Sequence, residues 1–302
     1  MITLSDINFS YNSKKTVLKG IEKKFSSGRI YGVVGPNGAG KTTLLNLMSG
    51  INTPRSGTVE VDGYNIVKHR ADALMRVGFM PDSLYLDYER PVLEQLIYFG
   101  TFYNMTYRES TERVTKLLTL FGLPSEFWKK QVKTLSLGQK RRVGITMATV
   151  HNPDNIIMDE PYNGFDPFGM KALTDFILEE RDKGKTVIIS SHILKEVQTI
   201  ADEFVYIELG KLLKSKDTAE IEKTAGKIWI RVNNPDDSLM TILSKFGTVR
   251  RIGPEYELTP DPDNNVKTWD INSTLVSEKY HVESIRQEKR TIEDEFFSGK
   301  NN

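Results

Sequence analysis

Short unbroken apolar runs recur along most of this chain: Ile30-Tyr31-Gly32-Val33-Val34, Arg76-Val77-Gly78-Phe79-Met80, Ile156-Ile157-Met158, Thr186-Val187-Ile188-Ile189-Ser190 and Phe204-Val205-Tyr206-Ile207. A strand covered on both faces needs no polar alternation, so such runs predict strands inside a parallel sheet. Between them, Leu44-Leu45-Asn46-Leu47-Met48-Ser49-Gly50 reads as a helix closed by glycine, and residues 92–99 and 114–121 carry apolar side chains at helical spacing. Strand alternating with helix implies parallel strands joined by crossover helices, an α/β core. Residues 1–34 and Thr58-Val59-Glu60-Val61 instead show short strands separated by turns around Tyr11, Ser27-Gly28, Thr53-Pro54 and Asp62-Gly63, which predicts an N-terminal antiparallel β subdomain. From about Asp82 to Val150 the pattern is helical, an insertion into the core.

Past about Ala219 the pattern changes again. Lys227-Ile228-Trp229-Ile230-Arg231-Val232 alternates like a strand, and residues 237–246 have a helical pattern. Further strands are predicted at 248–252, 266–271 and 281–286, with Pro254, Pro260 and Pro262 as punctuation. The expected organisation is one large unit, 1–218, with its helical insertion at about 82–150, and a small C-terminal α+β domain, 219–302.

Composition narrows the chemistry. The 302 residues carry a formal net charge of +1, which argues against bulk attraction to nucleic acid or anionic lipid. The chain has no cysteine, so zinc-thiolate sites, disulfides and thiol catalysis are excluded. No apolar stretch approaches the roughly 20 residues that span a bilayer, and no basic-then-apolar leader opens the sequence. A membrane role is therefore expected to come through a partner.

Candidate chemistry begins at Gly35-Pro36-Asn37-Gly38-Ala39-Gly40-Lys41-Thr42-Thr43. This is glycine, four residues, then Gly-Lys-Thr, entered by a predicted strand and left by a predicted helix, the context of a phosphate loop. Glycines let backbone N–H groups turn toward phosphate oxygens, and the helix N-terminus adds partial positive charge. Lys41 is expected on the β and γ phosphates of a nucleoside triphosphate, and the Thr42 hydroxyl on Mg²⁺. Downstream, Ile156-Ile157-Met158 ends in Asp159-Glu160-Pro161. Asp159 is expected to hold Mg²⁺, directly or through water, and Glu160 to act as general base on the attacking water.

Leu135-Ser136-Leu137-Gly138-Gln139 opens a further helix. Ser136 and Gln139 have the spacing of a capping box, and the same geometry, with Gly138 unencumbered, suits a γ-phosphate at a helix N-terminus. Lys140-Arg141-Arg142 follows and is expected to be a solvated face.

In this order the motifs resemble those of the nucleotide-binding subunits of ABC transporters. The family signature Leu-Ser-Gly-Gly-Gln is matched at Leu135, Ser136, Gly138 and Gln139, with Leu137 departing. Asn163-Gly164-Phe165-Asp166-Pro167 is similar to the family's D-loop. Ser190-Ser191-His192 is similar to the strand end carrying the switch histidine, which implies a catalytic role for His192. Tyr11 lies where the family stacks an aromatic ring on adenine. Asp82 stands where the family has a glutamine contacting Mg²⁺ and the water, and on that resemblance it is expected near the metal. The resemblance covers roughly residues 1–215. It implies an ATPase with ATP and Mg²⁺, paired head to tail with a second copy or a paralogous ATPase subunit. It implies too a separate transmembrane permease and a cytoplasmic, peripheral location on the inner face of the membrane, with no nucleic acid. The C-terminal segment Thr291-Ile292-Glu293-Asp294-Glu295-Phe296-Phe297 resembles the tail of bacterial exporter-type subunits with stand-alone permeases.

Two other readings stand beside this one. An ABC-type ATPase acting on nucleic acid or ribosomes would carry a long coiled coil or tandem ATPase units, and neither pattern is present. A phosphoryl-transfer kinase would need an acceptor pocket. Tyr85, Leu86 and Tyr88, in a loop closed by Pro91, are expected to form an exposed apolar docking patch for the permease.

Overall fold

The computed structural model of the chain describes residues 1–12, 16–193, 197–218, 225–261 and 266–289. β1 (Ile2–Phe9), β2 (Leu18–Phe25), β4 (Ser56–Val61) and β5 (Tyr64–Asn65) pair antiparallel in the order β2-β1-β4-β5. β3 (Arg29–Val34), β6 (Val77–Met80), β7 (Asn155–Asp159), β8 (Thr186–Ser191), β9 (Glu203–Glu208) and β10 (Lys211–Asp217) form a second sheet in the order β10-β9-β3-β8-β7-β6. The pairs from β9 across to β6 are parallel. Every residue of β7 and β8 is buried, as their unbroken apolar runs require.

One core joins the two sheets through α1 (Lys41–Met48). Ile2, Phe25 and Val59 of the antiparallel sheet, Leu44, Leu45 and Leu47 of the helix, and Ile157, Ile188 and Val205 of the parallel sheet belong to one buried cluster. An eight-residue helix has little stability of its own in water. Burying each leucine contributes about 1.5–3 kcal/mol, so packing between the sheets holds α1 and the loop before it. α2 (Arg70–Leu74) and α6 (Pro167–Asp182) complete this part. α3 (Val92–Thr101), α4 (Tyr107–Leu120) and α5 (Leu137–Thr149) form the helical insertion, with Leu96, Val114, Leu118 and Val143 buried.

The register of the parallel sheet sets up the site. Val34 lies opposite Ser191, Asp159 opposite Ser190, and Met80 opposite Met158. The carboxyl ends of β3, β8, β7 and β6 therefore stand side by side, where ligands of open α/β sheets bind.

The chain divides into two compact units, Met1–Ser215 and Lys216–Asn302. In the second, β11 (Ala225–Asn233), α7 (Ser238–Leu243), β12 (Gly247–Ile252), β13 (Glu255–Pro260), α8 (Thr268–Ser277) and β14 (His281–Lys289) follow one another. The sheet order is β12-β13-β11-β14, with antiparallel pairs throughout, a split β-α-β arrangement. Ile228, Ile230, Leu239, Leu243, Tyr256, Leu258, Ile271 and Leu275 form its core. One expectation fails here, and one strand is not anticipated by the sequence pattern. The strand expected at 266–271 is the start of α8: Ile271 and Leu275, four apart, bury on one helical face, and Asp270 Oδ2 accepts from the Lys267 N–H at 3.2 Å. β13 follows Pro254 and ends on Pro260, and proline punctuation hides it in the sequence. Residues 291–297, which carry the exporter-type tail resemblance, lie outside the described residues.

Candidate functional site

The loop from Gly35 to Gly40 leaves β3 and turns into α1. Gly35 has φ 153° and a Cβ there would lie 2.0 Å from the Ile207 carbonyl oxygen, so only glycine fits. Gly40 is the α1 N-cap at φ 109°, and no side chain caps the helix. The first N–H groups of α1 are thus left without a side-chain acceptor, as an anion site requires. Pro36, Asn37 and Gly38 form the exposed tip; Ala39 and Gly40 are buried. Lys41 is only 7% exposed, and its ammonium donates to the Gly35 carbonyl at 2.8 Å and the Pro36 carbonyl at 3.3 Å. Burial lowers its pKa below the usual lysine value, against the pull of the Glu160 and Asp159 charges.

Asp159 closes β7 and is 1% exposed. The Ser190 hydroxyl, on β8, donates to Asp159 Oδ1 and accepts from the Glu160 backbone N–H at 3.0 Å. One serine therefore fixes both acids, a role the sequence analysis missed; its place at the end of an apolar strand beside His192 was the available signal. Asp159 Oδ2 is buried with no hydrogen-bond partner. Burial raises the Asp159 pKa; the Ser190 and Thr42 hydroxyls oppose this, while the Glu160 and Asp82 charges add to it.

Glu160 has φ 49°, in the left-handed region. Holding a non-glycine residue there costs about 1–3 kcal/mol, a strain that clusters at functional sites. The turn aims its carboxylate at the end of β8: Glu160 Oε2 accepts the His192 backbone N–H at 3.3 Å and lies 2.8 Å from His192 Nδ1.

The start of α5 carries the second half of the motif set. Ser136 Oγ accepts from the Gln139 N–H at 3.3 Å and Gln139 Oε1 from the Ser136 N–H at 2.9 Å, the capping box in full. A Cβ on Gly138 would lie 2.6 Å from the Gly164 carbonyl oxygen, so this helix end packs closely against the loop after Glu160. Arg141 and Arg142 are not a solvated face: they are 5% and 9% exposed. Arg142 donates to the Phe121 carbonyl at 2.8 Å and to Asp166 at 2.9 Å, where Asp166 caps α6. Arg141 Nη2 donates to Asp82 Oδ1 at 2.6 Å. Fixed carboxylate and carbonyl partners let these cations bury, which sequence spacing alone does not reveal.

Asp82 follows the end of β6 and is half-exposed. Tyr11 presents an exposed ring beside Phe9, and its hydroxyl lies 3.2 Å from Thr43 Oγ1. The structure thus brings Lys41, Thr42, Thr43, Asp159, Glu160, His192, Tyr11 and Asp82 around the strand ends, while Ser136, Gly138 and Gln139 stand at the start of α5. Among the described residues no group of three acidic or histidine side chains is arranged to hold a metal alone. Mg²⁺ is commonly held by a hydroxyl, one or two carboxylates, water and substrate phosphate. The unpartnered Asp159 Oδ2 beside Thr42 fits such an ion.

The family model for ABC transporters matches residues 18–163. The linearmycin resistance ATP-binding protein LnrL of Bacillus subtilis (strain 168) is 35% identical over 213 residues, 70% of this chain and 68% of that protein. The uncharacterized ABC transporter ATP-binding protein YdbJ of the same organism is 31% identical over 289 residues, 93% of this chain and 90% of its own length. A solved structure of an ATP-binding subunit of an ABC transporter superposes with a TM-score of 0.69 at 26% identity, covering 74% of this chain and 92% of that one. With motif order, fold and sequence in agreement, the chain belongs to the ABC transporter family, as one of its ATP-binding, ATP-hydrolysing subunits.

Proposed function

We propose that the strand-end cluster is the hydrolytic half of an ATP site completed in a head-to-tail pair by the Ser136–Gln139 helix start of a second copy or a paralogous subunit. The carrying observation is the Asp159–Glu160 pair, one acid buried with a free oxygen and the other held by His192 beside Lys41. Gly35 to Thr43 would wrap the phosphates, with Lys41 exchanging its carbonyl partners for phosphate oxygens. Tyr11 would stack on adenine. Thr42 and Asp159 would hold Mg²⁺, with Asp82 nearby; the ion supplies positive charge to the phosphate oxygens. Glu160 takes a proton from the attacking water as the bond to the leaving ADP breaks, and His192 fixes the Glu160 carboxylate for that transfer.

ATP-binding subunits of this family work as dimers and with membrane permeases. Among the described residues no helix is long and apolar enough to cross a membrane. By resemblance to bacterial exporter-type systems, the permease is read as a separate polypeptide and this subunit as peripheral on the inner face of the membrane. No nucleic-acid partner is proposed. Glu160→Gln tests the core of the reading. It should keep ATP binding, lower turnover by about 10²–10⁴-fold, and accumulate as an ATP-bound dimer in size-exclusion chromatography. Hydrolysis at the wild-type rate would remove Glu160 from the role.

A further inference from the structure

We propose that Arg141 is a positioning residue for the nucleotide site: its buried guanidinium holds the Asp82 carboxylate and so ties the loop after β6 to the helix start at Ser136. The inference rests on the ATP-site reading above and extends it to a residue outside the motif set.

The two neighbouring arginines of α5 differ in a telling way. Arg142 is satisfied on two sides, by the Phe121 carbonyl and by Asp166. Arg141 makes its Nη2 bond to Asp82, while its Nε and Nη1 are buried with no hydrogen-bond partner. A guanidinium carries five N–H donors, and a buried cation that loses its counter-ion is strongly unfavourable. Among the described residues the Arg141 charge therefore depends on one carboxylate, itself half-exposed at the rim of the phosphate site. Asp82 is close enough for its charge to act on Asp159. At the other end, α5 begins one turn before Arg141 with Ser136 and Gly138, packed against the loop that follows Glu160.

Movement of Asp82 toward a bound nucleotide would strand the Arg141 charge unless α5 moved with it. The pair thus acts as a strut, coupling the metal-facing side of one ATP site to the helix start that would complete the other. A neutral side chain at position 82 would leave this cation uncompensated, so Asp82 and Arg141 form one device.

The experiment uses the full chain with Arg141→Gln, Arg141→Lys, Asp82→Asn and the Asp82→Asn/Arg141→Gln double variant. Three readouts are taken: thermal melting without nucleotide, affinity for a fluorescent ATP analogue in EDTA and in Mg²⁺, and steady-state ATPase kinetics. The phosphate loop is untouched, so Arg141→Gln should bind the analogue in EDTA within about threefold of wild type. It should change the affinity gained on adding Mg²⁺ by about fivefold or more, and lower kcat by about 10–100-fold with KM little changed, the scale of a misplaced site group. Arg141→Lys, which keeps the charge, should recover most of both. Asp82→Asn should add little to Arg141→Gln, because residues acting as a unit are non-additive. The proposal is overturned if Arg141→Gln keeps both the Mg²⁺ increment and kcat within about twofold of wild type, or if the two single losses multiply in the double variant. Should Arg141→Gln fail to fold, Asp82→Asn and Arg141→Lys decide: a wild-type Mg²⁺ increment and kcat in Asp82→Asn overturn the strut, and a loss there that Arg141→Lys largely avoids supports it. Absence of nucleotide binding by the wild-type chain would instead refute the ATP-site reading itself.

Discussion

Asp159→Asn should make the nucleotide-free protein more stable. The carboxylate is 1% exposed, one of its oxygens has no partner, and burial, its largest perturbation, raises its pKa. Asparagine keeps an oxygen to accept from Ser190 and removes the charge. Leaving a buried polar group unsatisfied costs about 1–3 kcal/mol, more for a charged one. For a unit the size of Met1–Ser215, each kcal/mol moves Tm by about 2–4 °C, so an upward shift of about 2–12 °C is expected at neutral pH. The pH dependence follows from the direction of the shift. An acid whose folded pKa is raised binds its proton more tightly when folded, so its penalty is present above the folded value and fades on acidification through it. The gap between variant and wild type should therefore narrow as pH falls. Differential scanning calorimetry without nucleotide, across pH, measures both effects. A Tm for Asp159→Asn equal to or below wild type at neutral pH would refute the argument that this oxygen is held poised for a ligand.

Lys41→Ala should abolish most of the thermal shift produced by ATP, which at about 100 times its Kd stabilises a binding protein by about 2.7 kcal/mol; an unchanged shift contradicts the phosphate-loop assignment. Gly35→Ala should prevent the loop from forming, since its Cβ would sit 2.0 Å from the Ile207 oxygen, and ATP binding by a folded variant at wild-type affinity would refute that geometry. Tyr85 and Tyr88 are 76% and 44% exposed, whereas Leu86 is buried at 8%. Charged substitutions at the two tyrosines should spare ATP hydrolysis by the isolated subunit and release it from permease-containing membranes; retention by folded variants rules out docking there.

The sequence determined what depends on near neighbours. The glycines and Lys41 of the phosphate loop, the Ser136–Gln139 capping box and the unbroken apolar runs of β3, β7 and β8 are local patterns, and the structure forms each where its pattern lies. Their order sufficed for the family. Tertiary structure decided what depends on distant partners. Ser190 became the bridge between Asp159 and Glu160 because parallel pairing set β8 beside β7 in that register. Arg141 and Arg142 went inside because Asp82 and Asp166 arrive from other elements to neutralise them, and charge patterning along one helix carries no trace of that. Leu86 is buried between exposed Tyr85 and Tyr88, a difference the local run of residues does not show. In the second unit, a segment with a few alternating residues became α8, since Ile271 and Leu275 found a core on one helical face. Period and capping act over a few residues and can be read directly; burial and charge pairing require the fold to bring their partners together.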